Sequence, residues 1–236
     1  FAKKNNEITD KLHWVTMSQG FWVGASTVIQ ALCKAVTAGN ASEQAVLFAD
    51  DPDKAGDFHD NSDLLADRLR DGSGFSAVTK LYHPHDGVRD SMTLSDTWKT
   101  GYVNYYGHGS ATQLGNYREQ YVTSEDATAL SNTVFPVFTA LSCSVGNFVL
   151  PGTRSLSGSL VLNPTGGAIA SLAPSGLSID NEAHLLGLAF TDNLFGNQSS
   201  VGEAVRLAKI ENGERLSPFM QRMYSVIGDP AAEAGY

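Results

Sequence analysis

Two stretches decide the fold: Gly101-Tyr102-Val103-Asn104-Tyr105-Tyr106-Gly107-His108-Gly109-Ser110 and Val134-Phe135-Pro136-Val137-Phe138-Thr139-Ala140-Leu141-Ser142-Cys143. Each is an apolar run the length of a buried strand, rich in β-branched or aromatic residues, and each ends in a residue with reactive chemistry. In a parallel sheet, neighbouring strands deliver the residues after their carboxyl ends to one edge, where ligands bind. An imidazole and a thiol far apart in sequence are thereby brought within reach of each other.

Working outward, strand and helix patterns alternate almost throughout. Gln44 to Ala49 reads as a buried strand running into the acidic loop Asp50-Asp51-Pro52-Asp53. Leu64, Leu65 and Leu69 stand at helical spacing before Gly72. Phe75 to Tyr82 predicts a strand and Asp90 to Trp98 a short helix. Thr123-Ser124-Glu125-Asp126 predicts a capped helix start. Beyond Cys143 come a helix over 155–162, a strand over 168–172, helices over 181–195 and 201–210, and a last strand over 223–227 that stops at Gly228-Asp229-Pro230. Residues 8–38 read as helical in their second half, with Cys33 on the apolar face. This alternation predicts an α/β fold whose mostly parallel central sheet is covered by helices on both faces. No internal repeat or linker divides the chain, so its 236 residues are expected to form one domain.

Composition removes several classes of function. Net charge is −9, from 25 acidic and 16 basic residues, and the basic residues are scattered. That is a poor footprint for nucleic acid or an anionic membrane. No apolar run approaches the roughly 20 residues of a membrane span, and no apolar signal core begins the chain. Cys33 and Cys143 are too few for a disulfide framework. Oligomeric state is not legible.

A cysteine nucleophile needs a base and oxyanion donors, and the thiolate is its reactive form. His108 is the candidate base. Its flanking glycines allow a sharp turn, and the amides of Gly109 and Cys143 are candidate oxyanion donors. Ser142, Ser144 and Gly146 keep the surroundings of the thiol small. The bland alternative is that both residues are structural, as buried Cys and His usually are.

The ordered set of motifs resembles the gingipain-like cysteine peptidases of the caspase-type clan. It runs from Ala49-Asp50-Asp51 through Asn104-Tyr105-Tyr106-Gly107-His108-Gly109 and Leu141-Ser142-Cys143-Ser144-Val145-Gly146. It continues with Asn163-Pro164-Thr165-Gly166-Gly167-Ala168, Ser175-Gly176-Leu177-Ser178, Gly202-Glu203-Ala204-Val205 and Gly228-Asp229-Pro230. The resemblance implies a caspase-like three-layer sandwich and endopeptidase activity through Cys143 and His108 on a protein or peptide substrate. It also implies that no cofactor is needed for catalysis, and a secreted or cell-surface setting. In gingipain-like enzymes an acidic residue stands behind the histidine at the end of an earlier strand; Asp51 is the closest positional match, with Asp50 as rival. His108 is expected to act chiefly as acid to the leaving amine.

Three departures from the family stand out. Ser155-Leu156-Ser157-Gly158-Ser159 replaces a helix that usually carries a Glu. The usual N-terminal strand and the immunoglobulin-like domain that often follows are both missing, so the chain is expected to be a trimmed catalytic domain. The lost Glu motivates the alternative of a catalytically silent relative serving as a binding or secretion-associated module.

The acidic loop has two sharper readings. An acidic pocket selects Arg or Lys by charge pairing, and Asp57, Asp180 or Glu182, with Ser142, are candidates to line it. Asp51-Pro52-Asp53-Lys54-Ala55-Gly56-Asp57 imitates the start of an EF-hand, but Ala55 and Ser62 stand where ligands belong. A looser structural calcium site stays open as an expectation. His83-Pro84-His85-Asp86 lacks the ligands a zinc site needs.

Overall fold

The computed structural model describes residues 42–234. Cys33 and the helix read in the second half of residues 8–38 lie outside them.

Strand β1 (Gln44–Ala49) is the shortest statement of the architecture, because five of its six residues are buried. A strand covered on both faces has no polar side to show, which is why it reads as a continuous apolar run. Helix α1 (Phe58–Gly72) follows, started by Asp57, whose carboxylate accepts from the backbone N of Asp60. Then come β2 (Ala77–Tyr82), α2 (Val88–Thr93), a 3₁₀ turn (Ser95–Trp98) and β3 (Tyr102–Tyr106). The single helix expected over 90–98 is thus split at Leu94, which takes an extended conformation between the two pieces.

After β3 the chain makes a small antiparallel sheet of β4 (Gly109–Ser110), β5 (Gln113–Gly115) and β6 (Gln120–Thr123), which the sequence reading did not anticipate. Helix α3 (Ser124–Ala129) opens with the expected capping box, Thr123 and Asp126 satisfying each other's backbone N–H. Next are β7 (Val137–Leu141), α4 (Leu156–Leu162), β8 (Ala170–Pro174) and α5 (Asp180–Thr191), which runs into a π turn (Asp192–Gly196). Helix α6 (Val201–Glu211), helix α7 (Pro218–Met223) and strand β9 (Tyr224–Gly228) complete the order. Helix α7 was not expected, although Ser217-Pro218 supplies both a cap and a favoured first residue.

The main sheet has six strands in the order β2-β1-β3-β7-β8-β9, parallel except for the β8–β9 pair. Side chains alternate between its faces, and the core divides accordingly. Ala45, Leu47, Ala49, Tyr102, Tyr106, Val137 and Leu141 pack with α1, α5, α6 and α7. Val46, Phe48, Val103, Tyr105, Phe138 and Ala140 face α2, the 3₁₀ turn with Trp98, the small sheet, α3 and α4. The result is the expected three-layer α/β sandwich.

The segment with the lost Glu is the first half of α4, and every residue of that helix is buried. Ser155 caps it by accepting from Gly158 N at 3.1 Å, and Ser157 accepts from the hydroxyl of Ser171 on β8 at 3.0 Å. These small hydroxyls supply polar contacts at the helix N-terminus and between helix and sheet.

Candidate active site

Register brings the two opening motifs together. Tyr102 pairs with Val137 and Tyr106 with Leu141, a constant offset of 35 residues. Carried past the strand ends, the same offset sets His108 opposite Cys143. Both strands are locked by buried polar contacts: Thr139 Oγ1 accepts from Asn104 Nδ2 at 2.7 Å and lies 2.6 Å from the Tyr102 hydroxyl. His108, Cys143, Ser142, Gly107, Ser178 and Asp180 then line one hollow of about 40 Å³ at the carboxyl edge of the sheet, with Phe58 forming part of its wall.

The His108 loop is held by side chains. Asp50, almost fully buried, accepts from the Tyr121 hydroxyl, from the Tyr105 hydroxyl at 3.5 Å and from His108 N at 3.4 Å. Tyr105 OH lies 2.8 Å from His108 O, its second acceptor. Gly107 has φ +148, and a Cβ there would meet the Asp50 and Tyr105 side chains at 2.4 and 2.5 Å, so only glycine fits this close approach.

The carboxylate on the imidazole is Asp53 rather than Asp51. His108 Nε2 lies 2.9 Å from Asp53 Oδ2, while Asp51 is exposed. The reason is local: beyond Pro52 the loop closes a turn, with Asp53 N donating to Gly56 O at 3.1 Å, and this swings Asp53 back over the ring. Burial pushes the Asp53 carboxyl up. The hydrogen bonds from the His108 ring and from Ala55 N outweigh it and hold the group below the ordinary carboxylate value. With Nε2 on Asp53, Nδ1 is the ring nitrogen that Asp53 does not engage. The Phe58 ring meets the imidazole edge-on at 5.6 Å.

The Cys143 loop is held by the main chain. Ser144 takes a left-handed conformation (φ 58) and donates its N–H to Gly176 O at 2.8 Å. Gly146 N donates to Pro174 O at 2.8 Å, and Ser157 N to Val145 O at 3.2 Å. Cys143 is half-buried and free, and its sulfur accepts from Ser178 N at 3.3 Å. Among the described residues no hydrogen bond joins the sulfur to the imidazole. The two loops touch where Gly109 faces Ser142: a Cβ on Gly109 would lie 2.5 Å from Ser142 Oγ, a buried hydroxyl with no hydrogen-bond partner among the described residues.

Of the acidic pocket candidates, Asp180 lies in the hollow and the others do not. Burial, then the Asp57 and Asp53 charges, raise its pKa, against an opposing hydrogen bond from Asn61 Nδ2 at 2.9 Å. Asp57 spends its carboxylate on the cap of α1, and Glu182 accepts from Ser217 N. Among the described residues no cluster of three or more His, Cys, Asp or Glu is arranged to hold a metal ion. His59 and His184 make ordinary contacts, to His83 O and the Tyr106 hydroxyl. Sequence reasoning missed Asp53 as the imidazole's partner and Ser178 as the thiol's. The acidic loop hinted at the first, but a backbone N–H leaves no residue-type signal for the second.

Comparison with known proteins bears on the family and the fold. The sequence matches the profile of peptidase family C25 over residues 26–234. A search of curated proteins finds no match. Among solved structures, the Arg-specific cysteine proteinase gingipain R superposes with a TM-score of 0.74 at 17% identity, covering 89% of this chain and 54% of that one. The complex of the Porphyromonas gingivalis RgpB pro- and mature domains gives 0.74 at 16% identity with the same coverages. The Saccharomyces cerevisiae separase in complex with securin gives 0.51 at 13%, covering 84% of this chain and 13% of that one. The chain thus spans about half the length of the gingipain structures it matches, and these likenesses speak to the fold. The family match extends through both reactive loops, and on that ground the chain belongs to peptidase family C25, as a gingipain-like cysteine peptidase.

Proposed function

We propose that the chain is a cysteine endopeptidase that works through a Cys143/His108 dyad. The observation that carries this reading is the register-matched delivery of both side chains to one hollow, with a carboxylate on the far nitrogen of the imidazole. Cys143 attacks the scissile carbonyl as a thiolate, its proton residing on His108 Nδ1. The carbonyl π pair moves onto oxygen. The oxyanion is met by the amides of Gly109 and Cys143. Gly115 N bonds His108 O at 2.8 Å, so by ladder alternation the next residue, Gly109, aims its N–H away from β5, which supports its role as donor. Collapse breaks the C–N bond, and Nδ1 gives its proton to the leaving amine. Water, deprotonated by His108, then hydrolyses the thioester. Asp53 keeps the imidazole oriented and stabilises its charged form. The lack of a resting bond between sulfur and ring favours His108 as acid to the leaving group.

For substrate choice we propose a basic P1 residue. Asp180 is a half-buried acid repelled by two other carboxylates, and a guanidinium or ammonium entering the hollow would relieve it. Reporter peptides with Arg, Lys, Asn or Ala at P1, assayed side by side, test this. Faster turnover of the basic pair is expected; equal turnover of the neutral pair removes the preference. Against the silent-module alternative stands the burial of α4 along its whole length without the missing Glu. By family analogy alone we place the protein outside the cell or on its surface. Among the described residues no helix is long and apolar enough to cross a membrane.

A further inference from the structure

The thiol's hydrogen-bond donor comes from an unexpected part of the chain. Ser178 sits in the short loop between β8 and α5, and its backbone N–H points at Cys143 Sγ from 3.3 Å. Its hydroxyl lies 2.9 Å from the hydroxyl of Tyr224, the fully buried first residue of β9. The rest of that loop is tied to the same C-terminal segment. Ser175 N donates to Met223 O at 2.9 Å, and Ile179 N to Met220 Sδ at 3.4 Å. The loop tip, by contrast, is open, with Leu177 73% exposed.

We propose that Tyr224 is a positioning residue that acts through Ser178 to hold this N–H on Cys143 and so favour the thiolate. The proposal rests on the cysteine peptidase reading of the site. A hydrogen bond given to the charged form of a thiol lowers its pKa, and the thiolate is the attacking species. The phenol is suited to the task. Burial first, then the Cys143 and Asp180 charges, hold it protonated against opposing contacts from the Ser178 hydroxyl and the Ser142 backbone, so it stays a neutral partner for that hydroxyl. The other charged groups facing the thiol are His108, with Asp53 behind it, and Asp180.

The test is the pH dependence of iodoacetamide alkylation, followed on the Cys143 peptide by mass spectrometry so that Cys33 does not contribute. Tyr224→Phe and Ser178→Ala are each expected to raise the midpoint by about half a unit, a roughly threefold slower reaction at pH below the midpoint. Ser178→Thr, which keeps a hydroxyl, is expected to hold the wild-type midpoint. The acid limb of kcat/KM should move with the alkylation midpoint. If Tyr224→Phe fails to fold, Ser178→Ala at its half-exposed position carries the test alone. An unchanged midpoint in Ser178→Ala, or in a folded Tyr224→Phe, overturns the proposal. Alkylation needs no turnover, so this failure is distinct from failure of the peptidase reading, which appears as absent cleavage by the wild type.

Discussion

The two loops that meet at the hollow are built in opposite ways. The His108 loop hangs on side chains: Asp50, Tyr105 and Tyr121 fix its backbone, and Asp53 fixes its ring. The Cys143 loop hangs on main-chain bonds to the end of β8 and the start of α4, with small side chains that stay out of the way. The thiol can therefore be changed without disturbing its support, whereas the imidazole's support is itself a set of mutable residues. Within the acidic loop the same division recurs. Asp50 is buried and holds the backbone, while Asp53 is half exposed and touches the His108 ring.

The sharpest way to break this contrast is Cys143→Ala. Turnover should fall about 10⁴-fold or more with a melting temperature close to wild type, because the loop's own main-chain bonds do not involve the sulfur and only Ser178 N–H loses its acceptor. A large loss of stability in a thermal melt would show that the loop is not main-chain supported. Next in size is Asp50→Ala, which strips two tyrosine hydroxyls and His108 N of a buried acceptor. Urea unfolding should show a loss of about 3 kcal/mol. Gly109→Ala attacks the seam between the loops. Its methyl would meet Ser142 Oγ at 2.5 Å and Val145 Cγ2 at 2.9 Å, forcing them apart. A displacement of that order should cost about 10²-fold in kcat/KM, measured with a reporter peptide.

Asp53→Asn should be the mildest in stability, within about 1 kcal/mol at pH 7, because the pair is half exposed. Its signature is pH-dependent. A carboxyl held below its ordinary pKa contributes stability that is present above the ordinary value and lost as pH falls through the folded value. Denaturation followed from pH 6 down to 2 should therefore show a shallower acid decline in the variant. A decline identical to wild type would remove Asp53 from the His108 interaction.

Much of this was legible in the sequence because strands buried on both faces advertise themselves. The runs 44–49, 102–106 and 137–141 are apolar, of strand length and bounded by turn residues. His108 and Cys143 follow their strands by the same two residues, so register alone brings them together. The small sheet after His108 was not legible, because Gly109-Ser110 and Gln113-Leu114-Gly115 are too short and too polar to show a period of two. Asp53 was missed for a different reason. The eye extends β1 straight, which puts Asp51 in line with His108, and the turn closed by Asp53 N and Gly56 O breaks that line. Ser178 was visible only as part of a motif. Its contribution is a backbone N–H, placed by a tyrosine 46 residues later.

The most direct test of the dyad is covalent capture. The protein is incubated with a peptidyl acyloxymethyl ketone carrying Arg at P1, and the adduct is mapped by mass spectrometry, alongside His108→Ala. A single adduct on Cys143, formed far more slowly when His108 is replaced, is the expected result. No selective labelling of Cys143, with no cleavage of any reporter peptide under reducing conditions, would contradict it.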